Sequence, residues 1–455
     1  MPFTRRQLLA GAGAAALGAG GVYELVDRLT TPPARAVGPR PKLPVEQHVL
    51  EGVRVVRDNG VEVLVPPLHH EVVTATVRAR DLGSAQRRLE AVLDDLDRRY
   101  EPTPAGLGIT VAWGLPYFRR RVPGPAKRYL PHDRRAGKPA VLDARRFPSD
   151  PRGTVLEQND VAVLLRGDRV DHIRAAHEAL FSDLDVFHVT SIRRGFAGGG
   201  FDGGRSLPKR MALAAGIPGA ELIPDAAELF LGFTSTQRTN LGPPRIANFE
   251  TLGFVATPGG YFRGGTHMHL SHIDEDLEQW YLTFSFGEQV DTVFRPGLNV
   301  RPGTQTVRQG AADVSTERAV ARDYRRYGTI GHSQAMQPAS RLQADHVGVD
   351  GTLYEKGTAI PQRADFNTLD NPFAWPADPS VQPRAGVHFV VFNPSSDDFN
   401  RGRLAMDGQL PNGTRLRFSP GSRGQGINAV LRTTHRQNFL VPPRARRSFP
   451  LAELL

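Results

Sequence analysis

The densest group of potential metal ligands in the chain is His267-Met268-His269-Leu270-Ser271-His272. Successive residues of a strand point to opposite faces, so His267 and His269 would share one face and could chelate a metal, while His272 would turn to the other. The same histidines also suit a polar strand face packed beside a cofactor or another part of the molecule. His69-His70 lies in a second strand pattern, where adjacent side chains point apart and rarely share a metal. Isolated imidazoles stand at His332, in a Gly- and Pro-containing segment, and at His346, in Asp345-His346-Val347. A literal Gly-x-x-Asp-Gly runs from Gly199 to Gly203 with Asp202 inside it, although an Asp-Gly pair amid glycines is most simply a turn. The carboxylate pairs Asp94-Asp95 and Asp397-Asp398 fall on charged helical faces and read as solvated.

What is missing narrows the chemistry. The chain has no cysteine, which removes disulfides, thiolate nucleophiles, iron–sulfur clusters and thiolate-ligated haem. A transition metal would need His, carboxylate, Tyr or Met. There is no G-x-S-x-G, no H-E-x-x-H and no phosphate-binding loop. The formal net charge is +10, but the arginines are scattered and lack the interleaved aromatics of a nucleic-acid platform, so nucleic acid is not expected as a partner.

The N-terminus reads as an address. Thr4-Arg5-Arg6-Gln7-Leu8-Leu9 has the form of a twin-arginine export signal. The Ala- and Gly-rich run from Ala10 to Val22 is too short and weakly apolar for a comfortable permanent span. Ala34-Arg35-Ala36 offers small residues to a signal peptidase. Residues 1–36 are therefore expected to be a signal peptide, with the folded body following and the protein working in the periplasm, at the cell surface or in the medium. No other stretch suits a transmembrane helix, so no integral membrane protein is expected after cleavage.

The remainder, about 420 residues, suits two domains. Glu71–Arg78 alternates like a strand, Asp81–Tyr100 has helical spacing, and Leu107–Trp113 and Asp160–Arg166 read as strands. Val170–Phe181 reads as a helix and Val186–Arg193 as a strand. That order, β-α-β-β-α-β, is ferredoxin-like. After a glycine-rich loop at Gly195–Gly204 the pattern restarts: His267–Ile273 as a strand, Asp274–Trp280 as a helix start, Val387–Phe392 as a strand, Asp397–Met406 as a helix and Asn438–Val441 as a last short strand. Residues 343–385 read mostly as loop. The expectation is an α+β protein of two ferredoxin-like halves with antiparallel sheets, residues 37–225 and 226–455.

On these residues the chain resembles the dye-decolorizing (DyP-type) peroxidase superfamily, and more closely a divergent twin-arginine-exported branch of it. In the first half the resemblance rests on Gln47-His48, Pro67-Leu68-His69-His70 and Thr110-Val111-Ala112-Trp113-Gly114. In the second it rests on Leu231-Gly232-Phe233-Thr234-Ser235, set where the family has G-F-x-D-G, and on Phe262-Arg263-Gly264-Gly265-Thr266 through Trp280-Tyr281. Gly331-His332-Ser333-Gln334 with Pro338 is similar to the segment carrying the axial histidine. Gln362-Arg363-Ala364-Asp365-Phe366-Asn367 is similar to the later R-R-x-[FY] segment. The resemblance implies a dimeric α+β barrel type of fold with haem b in the second half. His332 would be the iron ligand, with His346, His267 and His269 as alternative metal residues, and Arg363 the cation beside the cofactor. It implies peroxide-driven oxidation of a small-molecule reductant, contact with the twin-arginine export machinery, and compatibility with a homo-oligomer. The chain departs from the pattern at Ser235, where the family has its aspartate; a serine hydroxyl relays a hydrogen bond but is no carboxylate base. Asp202 is the other carboxylate considered for that role. The departure leaves two further readings: a non-catalytic haem- or metal-binding protein, or a relative that shares only the fold.

Overall fold

The strand pattern of the first half is realised with small shifts in a computed structural model, which describes residues 21–30, 43–58, 61–197, 205–225, 227–232, 245–246, 260–298, 315–347, 351–373, 383–419 and 422–455. Strand β1 is His69–Val77, helix α2 Leu82–Arg99, β2 Gly108–Gly114, β3 Val161–Gly167, α3 Val170–His177 and β4 Phe187–Phe196. Asp81 caps α2 by accepting from the Ser84 N–H at 3.0 Å, and Arg98 and Arg99 complement the helix dipole in its last turn. Leu82, Ala85, Leu89, Leu93 and Leu96 form its buried stripe, each large side chain contributing about 1.5–3 kcal/mol by leaving water. The strands lie in the order β4-β1-β3-β2, all antiparallel.

The second half repeats this order. Its elements are β5 (Thr266–Glu275), α4 (Leu277–Thr283), α5 (Phe286–Val293), α6 (Glu317–Tyr327), α7 (His332–Ser340), β6 (Gln362–Arg363), β7 (Phe366–Thr368), β8 (Gly386–Asn393), α8 (Ser396–Met406) and β9 (Leu431–Val441). β6 and β7 share one register against β8, Gln362 facing Phe392 and Phe366 facing His388, so they act as one strand. The order is β9-β5-β8-β7. Two seams then close the sheets into a ring: β2 pairs β9 through Gly114↔Phe439 and Trp113↔Leu440, and β4 pairs β7 through Phe196↔Asn367. Val72, Ala112, Leu164, Met268, Leu270, Phe366, Val390, Phe392 and Phe439 fill the interior.

Four sequence readings change. β5 runs on to Glu275, and the helix starts at Leu277 with Asp276 as its cap. β9 begins at Leu431 rather than Asn438; its first residues are polar because that end of the ring's interior is polar. Within the expected loop 343–385, β6 and β7 complete the second sheet. Residues 21–29, set aside with the signal segment, form a helix, α1, whose Val22, Tyr23, Leu25 and Val26 are buried. Among the described residues no helix is long and apolar enough to cross a membrane.

Candidate functional site

Strand parity fixes which side chains leave the ring. Met268 and Leu270 point into it, so His267, His269 and Ser271 face the helices, and so do Arg363 and Asp365, which alternate with the inward Ala364 and Phe366. The site is built where this face meets α7 and α8. Gly331 precedes α7, and a Cβ on it would lie 2.2 Å from the Phe294 carbonyl oxygen; only glycine lets the helix start so close to α5. Gln334 then anchors α7 by donating to Asp323 at 2.7 Å, a carboxylate that also takes Arg295 at 2.9 Å.

His332 is the first residue of α7. Burial, then the Arg363 and Arg403 charges, lower its pKa to about 4, so it is a neutral imidazole near pH 7. Its Nδ1 is buried with no hydrogen-bond partner among the described residues. Arg363 Nε lies 3.7 Å from Asp365 Oδ1. The Asp365 charge reaches on to Glu275, whose carboxyl is pushed up to about 8 by burial first, then by Asp365 and Asp274. Glu275 thus carries a proton at neutral pH while its buried Oε2 has no hydrogen-bond partner among the described residues. The second half therefore groups a neutral imidazole, a guanidinium and a carboxylate, with a protonated carboxylic acid within electrostatic reach of that carboxylate: a ligand for a metal, a stabiliser of negative charge, and a carboxylate able to take a proton.

His267 and His269 share a face as the alternation demands, but they do not form a chelate. His269 spends Nδ1 on Asn438 Oδ1 at 2.7 Å and Nε2 on Ser271 Oγ at 2.6 Å, and its ring stacks on Phe399 at 3.5 Å. His267 is fully buried and held neutral by that burial, its pKa lowered to about 3. Among the described residues no group of three His, Asp or Glu side chains could hold a metal ion. His346 sits on a separate two-stranded hairpin with Tyr354 opposite, where the Arg135 and Asp133 charges act on it. His272 faces the ring interior, its Nδ1 3.2 Å from His388 Nδ1 and its Nε2 3.1 Å from Asp274. His69 and His70 point apart on β1. Ser235 and Asp202 lie outside the described residues. Gln47, part of the sequence resemblance, is structural: it donates to the Val111 and Pro442 carbonyls at 3.1 and 2.8 Å and accepts from the Val111 N–H at 2.9 Å.

Sequence reasoning missed Asp365 and Glu275 as a pair. Asp365 was visible two residues after Arg363, where period-2 alternation puts both on one face; Glu275 is brought near only by the folded sheet.

A family model described as a family of unknown function, DUF7405, matches residues 67–443. None of the curated proteins matches the chain. Solved structures similar to it include a DyP-type peroxidase protein from Shewanella oneidensis, at 14% identity and TM-score 0.49, covering 84% of this chain and 94% of that one. The encapsulated DyP-type peroxidase of Mycobacterium smegmatis is similar at 14% identity and TM-score 0.48, covering 84% and 95%. A Rhodococcus jostii RHA1 DypB variant in complex with heme gives the same identity, score and coverage. At such identities the likeness concerns the fold alone.

Proposed function

Since the chain belongs to DUF7405, a family of unknown function, its chemistry has to be argued from its own side chains, and we propose that it is an exported, DyP-like haem peroxidase that oxidises a small-molecule reductant with hydrogen peroxide. The observation that carries this reading is the grouping of His332 with Arg363 on one face of the second half, 31 positions apart in sequence yet close enough for Arg363 to depress the imidazole. The donor set suits haem b: one neutral imidazole can hold an iron that a porphyrin already ligates, whereas a bare transition ion would need ligands the described residues do not gather.

When bound, haem supplies the two electrons that split the peroxide O–O bond. His332 would hold the iron. Arg363 would set its positive charge against the negative charge that grows as that bond breaks. Asp365, in contact with Arg363, would be the carboxylate that takes a proton from one peroxide oxygen and returns it to the other, which leaves as water. Glu275 is kept protonated by burial and by the Asp365 charge. This assignment gives the chain a carboxylate although Ser235 replaces the family's aspartate. A homo-oligomer and an extracytoplasmic location belong to the same proposal.

The test is an absorption spectrum of protein made in cells supplied with a haem precursor. The expected result is a Soret band that His332→Ala abolishes, and peroxide turnover that Asp365→Asn lowers by about 10²-fold or more with the Soret band kept. A colourless protein that refuses added haem refutes the reading. A His332→Ala variant that binds haem unchanged removes His332 as the ligand.

A further inference from the structure

Helix α1 lies on the body at the thinner of the two seams that close the ring. Val22, Tyr23, Leu25 and Val26 join one apolar cluster with Leu68, Phe196, Phe230 and Leu369. Phe196 is itself the seam residue paired with Asn367, and Leu369 stands two positions further along. Polar contacts reach three elements. The Tyr23 hydroxyl donates to the His70 carbonyl at 2.6 Å, and Asp27 Oδ1 lies 3.0 Å from His69 Nε2, both on β1. Arg174 on α3 pairs with Glu24 at 2.7 Å. Arg194 on β4 sits over the Tyr23 ring, 5.9 Å from its centroid. Tyr23 and His69 meet edge to face at 5.3 Å.

Among the described residues the main-chain pairing of the seam under this helix is short. β4 and β7 share one register pair, supported by the Thr368 hydroxyl donating to the Arg194 carbonyl at 2.7 Å. The opposite seam has two register pairs. Without α1, Leu68, Phe196 and Leu369 would lose part of their apolar cover, and Arg174 and Arg194 would lose contacts at the joint between the halves.

We propose that α1 is a strap of the working protein: residues 22–29 are retained after export, any cleavage falls N-terminal to Val22 rather than after Ala36, and the strap holds the β4–β7 seam closed. The proposal is independent of whether haem is bound. It sets a helix that follows a twin-arginine motif apart from the discarded leader and makes it a structural part of the fold.

Hydrogen exchange on the full chain and on its Val26→Asp variant tests the strap. The expected result is exchange in residues 187–196 and 366–369 faster by about tenfold or more in the variant, with β2 and the end of β9 little changed, because local opening follows the loss of packing around one element. A chain of residues 37–455 should show the same pattern, and a synthetic peptide of residues 20–30 should restore protection. Retention is read from the intact mass of protein recovered outside the cytoplasm of an export-competent host. A mass that includes residues 22–36 supports the proposal. A mature chain beginning at residue 37, or seam exchange unchanged by Val26→Asp, overturns it.

Discussion

Mild acid should destabilise this protein, because several imidazoles are buried without charge. His48 and His267 have pKa values lowered to about 3. His70, His269 and His388 are held well below the ordinary value, in each case by burial first. Below pH about 6.5 the unfolded chain takes up protons that the folded chain refuses, and each such group costs about 1.4 kcal/mol per pH unit. Two carboxyls work in the opposite sense. Glu275 and Asp370 are raised to about 8 and about 7, mainly by burial. They are protonated when folded and ionised when unfolded, so together they offset about 2.8 kcal/mol per pH unit between their unfolded pKa values and pH 6.5. The net loss on acidification is about 4 kcal/mol per pH unit if all five imidazoles act fully, and about 1 if little more than half the effect is expressed. Between pH 6.5 and 5 that removes about 1.5–6 kcal/mol from a stability of about 5–15 kcal/mol. Above pH 6.5 the imidazole slope vanishes and the carboxyls dominate, Glu275 alone removing about 2 kcal/mol by pH 8. Guanidinium unfolding at pH 5.5, 6.5 and 8 measures both limbs. Glu275→Gln cannot ionise, so it should abolish the Glu275 share of the alkaline loss and, by removing the same group's offset, steepen the acid limb by about 1.4 kcal/mol per pH unit. Stability that is flat between pH 6.5 and 5.5, or a Glu275→Gln profile parallel to the wild type, would refute the reasoning.

Two other sites give sharp expectations. Asp150 accepts from Arg436 at 2.7 Å and from Arg403 at 3.4 Å, and the Asp150 and Arg436 side chains are both 1% exposed. Asp150→Ala should cost about 3–5 kcal/mol in chemical denaturation, because it strands a buried guanidinium; a loss below about 1 kcal/mol would mean that the Arg145 carbonyl, 3.3 Å from Arg436, suffices. At the seam, a Cβ on Gly195 would lie 2.2 Å from the Asn367 carbonyl oxygen. Gly195→Ala should therefore destabilise by about 1–3 kcal/mol and raise exchange in residues 366–369, and a neutral substitution would show that the seam has room to shift.

Some of this protein was fixed by local sequence. The spacing of Leu82, Ala85, Leu89, Leu93 and Leu96 made α2 legible, and the β-branched alternation after Glu71 made β1 legible, because helix and strand each impose their own period on a buried face. The repeated β-α-β-β-α-β order carried the two ferredoxin-like halves. Period 2 also placed His267 and His269 on one face and His272 on the other. It could not tell that Asn438 and Phe399 would join Ser271 of the same strand in engaging His269, since Asn438 comes from the neighbouring strand and Phe399 from α8. The strand 362–368 was hidden among prolines, glycines and aspartates; it is a strand because β8 offers its edge in register. Residues 21–29 looked like the tail of a leader, and only the cover they give to Leu68 and Phe196 makes them part of the body. Likewise Arg363 and Asp365 could be set side by side from their spacing, while the approach of His332 and Glu275 to them was decided by ring closure. Hydrogen bonding and periodicity act over a few residues and are written in order along the chain, whereas a site assembled from β5, β6 and α7 exists only once long-range pairing has chosen the register.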